Sequence, residues 1–210
     1  MSEIASHSVW LDKVPSDWKA SRIRNVAVLS PGYSNTVPVP EEICNVVPMD
    51  AVSVDGVIDM TNLQPLEEVS SGLPLFESGD VLFAKITPCM ENGKGALVRE
   101  LPTRYAFGST EFHVLRPSRW VVGAFLYYAT FNSVYRAYAA ENMVGAAGQK
   151  RVSSRFLRDT PIFLPSLAEQ GIVADALDAN CAAIDSAIEV KFIQFYSLAG
   201  VRKSILQRVV

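Results

Sequence analysis

The side chains of this chain that could do chemistry are those that hold and read a polyanion, and they gather in its middle third. Asn92 and Lys94 occupy the turn Glu91-Asn92-Gly93-Lys94-Gly95, and Gln149-Lys150-Arg151 closes a Gly/Ala loop that begins at Met143. Amide side chains pair bidentately with base edges, while Lys and Arg reach guanine or phosphate oxygens. By residue type and loop location, Lys85, Lys94, Arg104, Lys150 and Arg151 are candidates for phosphate or guanine contacts. Asn92 and Gln149 are candidates for adenine or other polar base edges, and Ser109 and Thr110 for positioning the nucleic-acid backbone. Each of these, taken singly, also reads as a solvated turn residue. Their convergence in one region is what carries the interpretation.

Charge points the same way. The net charge of −3 hides a segregation: residues 1–79 carry −7, residues 80–160 carry +5 and residues 161–210 carry −1. One basic surface on an acidic protein is the footprint of a phosphate-backbone binder.

Bond-making chemistry has little support. The only histidines are His7 and His113, and His113 lies in an alternating strand pattern that predicts a structural role. Cys89 beside Pro88 suggests a nucleophile, but nothing places a base near it. Gly93-Lys94-Gly95 lacks the upstream glycine and the Ser/Thr of a nucleotide-phosphate loop, and no cluster has zinc-ligand spacing. The expectation is therefore a non-catalytic chain with no cofactor or metal of its own. Three cysteines, Cys44, Cys89 and Cys181, lie far apart, which fits a reducing cytoplasm. No secretory leader pattern opens the chain, and the apolar stretch Val121–Phe131 is too short to span a membrane.

The elements that must position these residues are strands first and a helix last. Residues 1–15 read as a lead-in, and Ser30 to Pro48 as loops with an edge strand. Val46 to Ile58 reads as strand–turn–strand around Asp55-Gly56, and Leu66 to Leu75 as polar loop. Ser78-Gly79-Asp80 turns into a β-rich run ending at Thr87-Pro88. The turn at 91–95 leads to a strand over Ala96–Val98, and Glu111 to Arg116 is a strand closed by Pro117. Trp120 to Ala140 has helical spacing, Ser153 to Arg158 is a short element, and Thr160 to Leu164 is the last strand. The predicted fold is α+β: a mixed, strand-rich domain over residues 1–165, then a long helix over residues 166–210.

That helix starts at a capping box, Ser166-Leu167-Ala168-Glu169, after Pro161 and Pro165 end the extended segment. Leu177, Cys181, Ile184, Ile188, Phe195, Leu198, Ile205 and Val209 then recur at alternating spacings of four and three, interrupted by Lys191 and Arg202. This is a heptad-like seam on a helix roughly 60 Å long. It predicts a dimer interface, with a fold-back at Gly200 or packing along its own domain as the alternatives.

Four stretches resemble the specificity subunit of Type I restriction–modification systems. They are Val14-Pro15-Ser16-Asp17-Trp18, Ser78 to Lys85, Gly108 to Pro117, and Pro161-Ile162-Phe163-Leu164-Pro165-Ser166-Leu167-Ala168-Glu169-Gln170-Gly171-Ile172-Val173 running into the long helix. The resemblance implies a target-recognition domain followed by a helical spacer. Family members usually carry two such units in tandem, each reading half of a split site on double-stranded DNA, with the two helices paired antiparallel. It also implies docking of methyltransferase subunits, which methylate adenine with S-adenosylmethionine, and a separate restriction subunit for cleavage. No Asn-Pro-Pro-Tyr methyltransferase motif occurs here. This sequence holds one unit, so the expectation is a homodimer reading an inverted, interrupted site. The competing reading is a protein-interaction scaffold with a globular domain and a dimerising coiled coil.

Overall fold

A computed structural model describes residues 14–32, 39–146 and 148–209. His7 and nearly all of the expected lead-in lie outside them. The chain divides into two units, residues 1–171 and residues 172–210.

The first unit is built on two four-stranded sheets. One has the order β2 (Ala27–Leu29), β9 (Phe112–Pro117), β6 (Val81–Ala84), β7 (Gly95–Leu97) and is antiparallel throughout. The other has the order β4 (Leu63–Pro65), β3 (Ile43–Val47), β8 (Ala106–Gly108), β5 (Leu75–Phe76), with β3 and β8 parallel. Val47, Phe76, Leu82, Ala84, Ala106, Phe112 and Val114 come from both sheets and form one buried core. Leu82 and Ala84 face this core, as a period of two requires. Phe83 points the opposite way, to a T-shaped ring contact with Tyr135. Strand β6 is thus buried on both faces, which is why it reads as a continuous apolar run.

Two helices, α2 (Gly123–Phe131) and α3 (Ser133–Glu141), occupy the stretch where the sequence predicts one. Asn132 makes the break, its side-chain oxygen accepting hydrogen bonds from the Val134 and Tyr135 amides as the cap of α3. A second correction concerns residues 43–47. The predicted edge strand is an interior strand, paired on both sides. Its fully buried Asn45 disguises it, and that side chain is satisfied by the Met60 carbonyl at 2.6 Å and the Thr103 hydroxyl at 2.7 Å. The expected strand pair around Asp55-Gly56 shrinks to a single bridge between Val52 and Ile58.

The ends of this unit are tied together. Strand β1 (Lys19–Arg22) pairs antiparallel with β10 (Pro161–Leu164). Between them lie the short helices α1 (Ile23–Val26) and α4 (Ser154–Asp159), the latter capped by the Ser153 hydroxyl. The last helix, α5 (Leu167–Val209), spans 43 residues and runs through Gly200 without a break, which excludes the fold-back. Half of the predicted capping box forms: Ser166 Oγ accepts from the Glu169 amide at 3.2 Å. The Glu169 carboxylate instead accepts from Trp18 Nε1 at 3.2 Å. Gln170 next to it is buried and bonds the Val122 amide (2.8 Å) and the carbonyls of Trp120 and Pro165. Gln170 therefore locks the start of α5 to the segment that opens α2, and Glu169 ties it to Trp18 ahead of β1.

Candidate nucleic-acid interface and helical seam

All the sequence-predicted contact residues except Arg104 meet at one end of the sheets. Strand β6 exits there into Lys85, Ile86 and Thr87; the turn 88–94 enters β7; the turn 109–111 enters β9; and residues 144–146 and 148–151 run beside them. Backbone hydrogen bonds stitch the segments together. The Lys85 amide donates to the Glu111 carbonyl (2.9 Å), Val152 N to the Lys85 carbonyl (2.8 Å), and Thr87 N to the Lys150 carbonyl (3.0 Å). Ser109 N donates to the Val47 carbonyl at 3.0 Å, extending the β3–β8 pairing, and Lys94 Nζ donates to the Met49 carbonyl at 3.0 Å, linking the two sheets. Arg104 lies at the opposite end of β8, its guanidinium 4.9 Å from the Tyr105 ring centre.

Within this end, Asn92, Thr110, Gln149 and Lys150 are exposed. Lys94, Ser109 and Arg151 are half-buried and engaged. Ser109 Oγ accepts from the Glu111 amide at 3.2 Å. Arg151 grips the Glu111 carboxylate with two nitrogens, Nε at 2.9 Å and Nη2 at 2.6 Å. Hydrogen bonding from Arg151 holds the Glu111 carboxyl below its ordinary range against the opposing effect of burial, and Glu111 in turn raises Arg151. The arrangement is a hydrogen-bonded floor with four exposed polar tips.

His113 is buried one strand position below. Its Nε2 lies 2.8 Å from the Val152 carbonyl, so that nitrogen carries the proton and donates. Burial lowers its pKa, and the imidazole is neutral at pH 7. This is the structural role the alternating pattern predicts.

Sequence reasoning missed two residues that shape this end. Glu111 is one; its pairing across 40 positions leaves no local signal. Arg136 is the other. It sits on α3, 6% exposed, where a lone arginine in a short helix looks solvent-facing. Its Nη1 donates to the carbonyls of Met90 (3.0 Å) and Lys94 (3.3 Å), and Nε to that of Thr130 (2.8 Å). The guanidinium lies 4.2 Å from the Phe83 ring centre and 4.8 Å from that of Phe131. Burial brings its pKa down to about 10, so it stays charged at neutral pH. Gly95 permits this approach: a Cβ there would stand 2.5 Å from the Leu82 carbonyl and 3.3 Å from Arg136 Nη2.

Several cations of the basic third are neutralised internally. At the opposite end of the β2–β9–β6–β7 sheet, Arg116 holds Asp80 with two nitrogens at 2.8 Å each, beside a cleft of about 690 Å³ that Arg99 and Arg119 also line. The charge segregation seen in sequence therefore combines internal ion pairs with an exposed remainder. Among the described residues, no group of three His, Cys, Asp or Glu is placed to hold a metal ion. No described helix is long and apolar enough to cross a membrane.

In the second unit, every described side chain from Cys181 to Gln207 is exposed. Leu177, Cys181, Ile184, Ile188, Phe195, Leu198 and Ile205 fall on one face at 100° per residue. Val190, Ile193 and Tyr196 fall away from it, Val201 flanks it beside Leu198 and Ile205, and all four are exposed.

The fold class is α+β: a strand-rich, loop-bearing domain followed by a long helix with the pattern of helix–helix association. The chain belongs to the specificity-subunit family of Type I restriction–modification systems, since the family model for the Type I restriction modification DNA specificity domain matches residues 15–190. It is 32% identical over 161 residues to the Type I restriction enzyme EcoAI specificity subunit of Escherichia coli and 33% identical over 163 residues to the EcoEI specificity subunit of the same organism. Each match covers 75% of this chain and 27% of the relative, so the chain corresponds to a fraction of those proteins. In fold it is similar to the HsdS subunit from Thermoanaerobacter tengcongensis, with TM-score 0.67, 19% identity, and coverage of 86% of this chain and 46% of that one. A chain from a type I R-M system assembly gives TM-score 0.64 at 22% identity, with coverage of 86% and 45%.

Proposed function

We propose that this chain is a sequence-specific DNA-recognition subunit, non-catalytic itself, that directs a Type I methyltransferase and, where a restriction subunit joins, an endonuclease in the cytoplasm. Residues 1–165 read double-stranded DNA through the sheet end that presents Asn92, Thr110, Gln149 and Lys150. Residues 166–210 assemble the complex. The observation that carries the reading is the convergence of these polar tips on one stitched end of a domain of this family. Phosphate contacts position and base-edge contacts specify, and the exposed amides are of the second kind.

The exposed helix supplies the rest. A helix that carries exposed apolar residues on two faces buries them against partners. The Leu177–Ile205 seam suits a second copy in antiparallel, two-fold pairing, which places the same surface on both sides. The face of Val190, Ile193 and Tyr196 remains for methyltransferase subunits, which bring S-adenosylmethionine and the methylation chemistry. Two copies would read an inverted, interrupted site with identical halves. With a helix of roughly 60 Å and about 3.4 Å per base pair, the halves lie on the order of one to two DNA turns apart.

The test is the solution mass of the full chain by light scattering, alone and with methyltransferase subunits. A dimer of 46 kDa, twice the 23.0 kDa chain, that takes up those subunits supports the proposal. A monomer that binds neither refutes the symmetric-site reading. DNA affinity without salt or sequence dependence would favour the scaffold alternative.

A further inference from the structure

Arg136 is a buried cation with no role in the DNA contacts proposed above. A charge in an apolar layer is costly unless it is fully paired, and an apolar side chain of similar volume would fill the same space. What an apolar side chain cannot do is fix two carbonyls four positions apart on one turn. Arg136 does this: its Nη1 reaches Met90 O and Lys94 O together, and Nε anchors the guanidinium to Thr130 O on the adjoining helix. Nη2 has no hydrogen-bond partner and lies among the rings of Phe83 and Phe131. The clamped segment is closed on itself as well, with Asn92 N donating to the Pro88 carbonyl, Gly93 N to Met90 and Lys94 N to Cys89. Its exposed tip is Asn92.

We propose that Arg136 is the positioning residue of a base-reading turn, a fork from α3 that holds the 88–94 segment in one conformation so that Asn92 meets its base edge in fixed geometry. The inference rests on the DNA-reading function proposed above. Its consequence is a split between affinity and specificity. A reader held loosely still meets phosphate but loses discrimination, because a bidentate pair is lost when its donor and acceptor wander.

Arg136→Lys keeps the charge but puts one ammonium in place of Nε and Nη1, so it cannot hold the Thr130 carbonyl and the two turn carbonyls together, and Val26→Ala is a destabilising control buried in α1, away from this turn. Both full-length variants are compared with wild type by amide hydrogen exchange and by selection from a pool of randomised DNA duplexes. Arg136→Lys should speed exchange at Asn92, Gly93 and Lys94 and reduce discrimination at one position of the selected motif roughly 5- to 100-fold, with the salt slope unchanged. Val26→Ala should do neither. Unchanged exchange at the turn overturns the proposal, as does faster exchange with discrimination intact, or an equal loss of discrimination in Val26→Ala. If Arg136→Lys does not fold, wild type decides: these three amides should exchange more slowly than Val57 N in the exposed Asp55-Gly56 turn, and equal rates overturn the proposal. Wild type that selects no motif at all, with the turn protected, marks failure of the DNA-reading function instead.

Discussion

Replacing Phe195 by alanine tests the seam where it is most apolar. Phe195 is 66% exposed, its ring centre 5.8 Å from that of Tyr196. Full burial of such a side chain is worth roughly 3 kcal/mol at most, so covering the exposed two-thirds contributes about 2 kcal/mol per protomer. Two-fold pairing counts the loss twice, giving about 4 kcal/mol and a rise in dimer Kd of about 1000-fold. Alanine is the best helix former, so α5 itself should keep its helicity. The assay is sedimentation equilibrium over a concentration series, with helicity followed by circular dichroism. Tyr196→Ala serves as the contrast, since Tyr196 is equally exposed but lies off the seam, on the face assigned to methyltransferase subunits. It should leave the dimer Kd within a few-fold and weaken methyltransferase uptake. Phe195→Ala with an unchanged Kd, or Tyr196→Ala with the larger effect on self-association, would refute the assignment of faces.

Other substitutions probe the domain. His113 should make stability fall as pH drops below its ordinary 6.5, because the unfolded chain takes up a proton that the buried imidazole refuses; the slope is at most about 1.4 kcal/mol per pH unit. His113→Gln should flatten thermal melts between pH 7 and 5, whereas the contribution of Glu111, whose folded pKa is depressed, is lost only as pH falls below its ordinary 4.5. Glu111→Gln removes the charge that occupies Arg151; binding to non-specific duplex should tighten and its log–log salt slope steepen by about 0.9, and an unchanged slope would mean that Arg151 does not face DNA. Gln170→Leu leaves the Val122 amide and two carbonyls unpaired. It should cost about 3 kcal/mol and lower Tm by about 6–12 °C, and a shift near zero would show that water replaces the side chain.

Much of the architecture was legible because it rests on local signals. The β6 run, the 91–95 turn, β9 ending at Pro117 and the α5 heptads are set by burial period and turn chemistry within a few residues. Where the sequence misled, a buried polar residue or a cap had overridden the period. Asn45 hides an interior strand, and Asn132 splits one helical pattern into two helices. That the candidate residues cluster was legible, because loops at one sheet end alternate with strands in sequence; Arg104, chosen by residue type, lies at the other end. Glu111 and Arg136 were illegible. Their meaning lies in partners some 40 positions away, on Arg151 and on the carbonyls of Met90 and Lys94.

The central claim is that the stitched sheet end reads DNA sequence, and selection from randomised duplexes tests it most directly. The full chain, assembled with methyltransferase subunits, should enrich an inverted, interrupted motif with identical halves. Substituting Asn92 or Gln149 by alanine should relax single positions of that motif, while Arg104→Ala should leave it intact. Enrichment of no motif, or a motif indifferent to Asn92 and Gln149, would contradict the account.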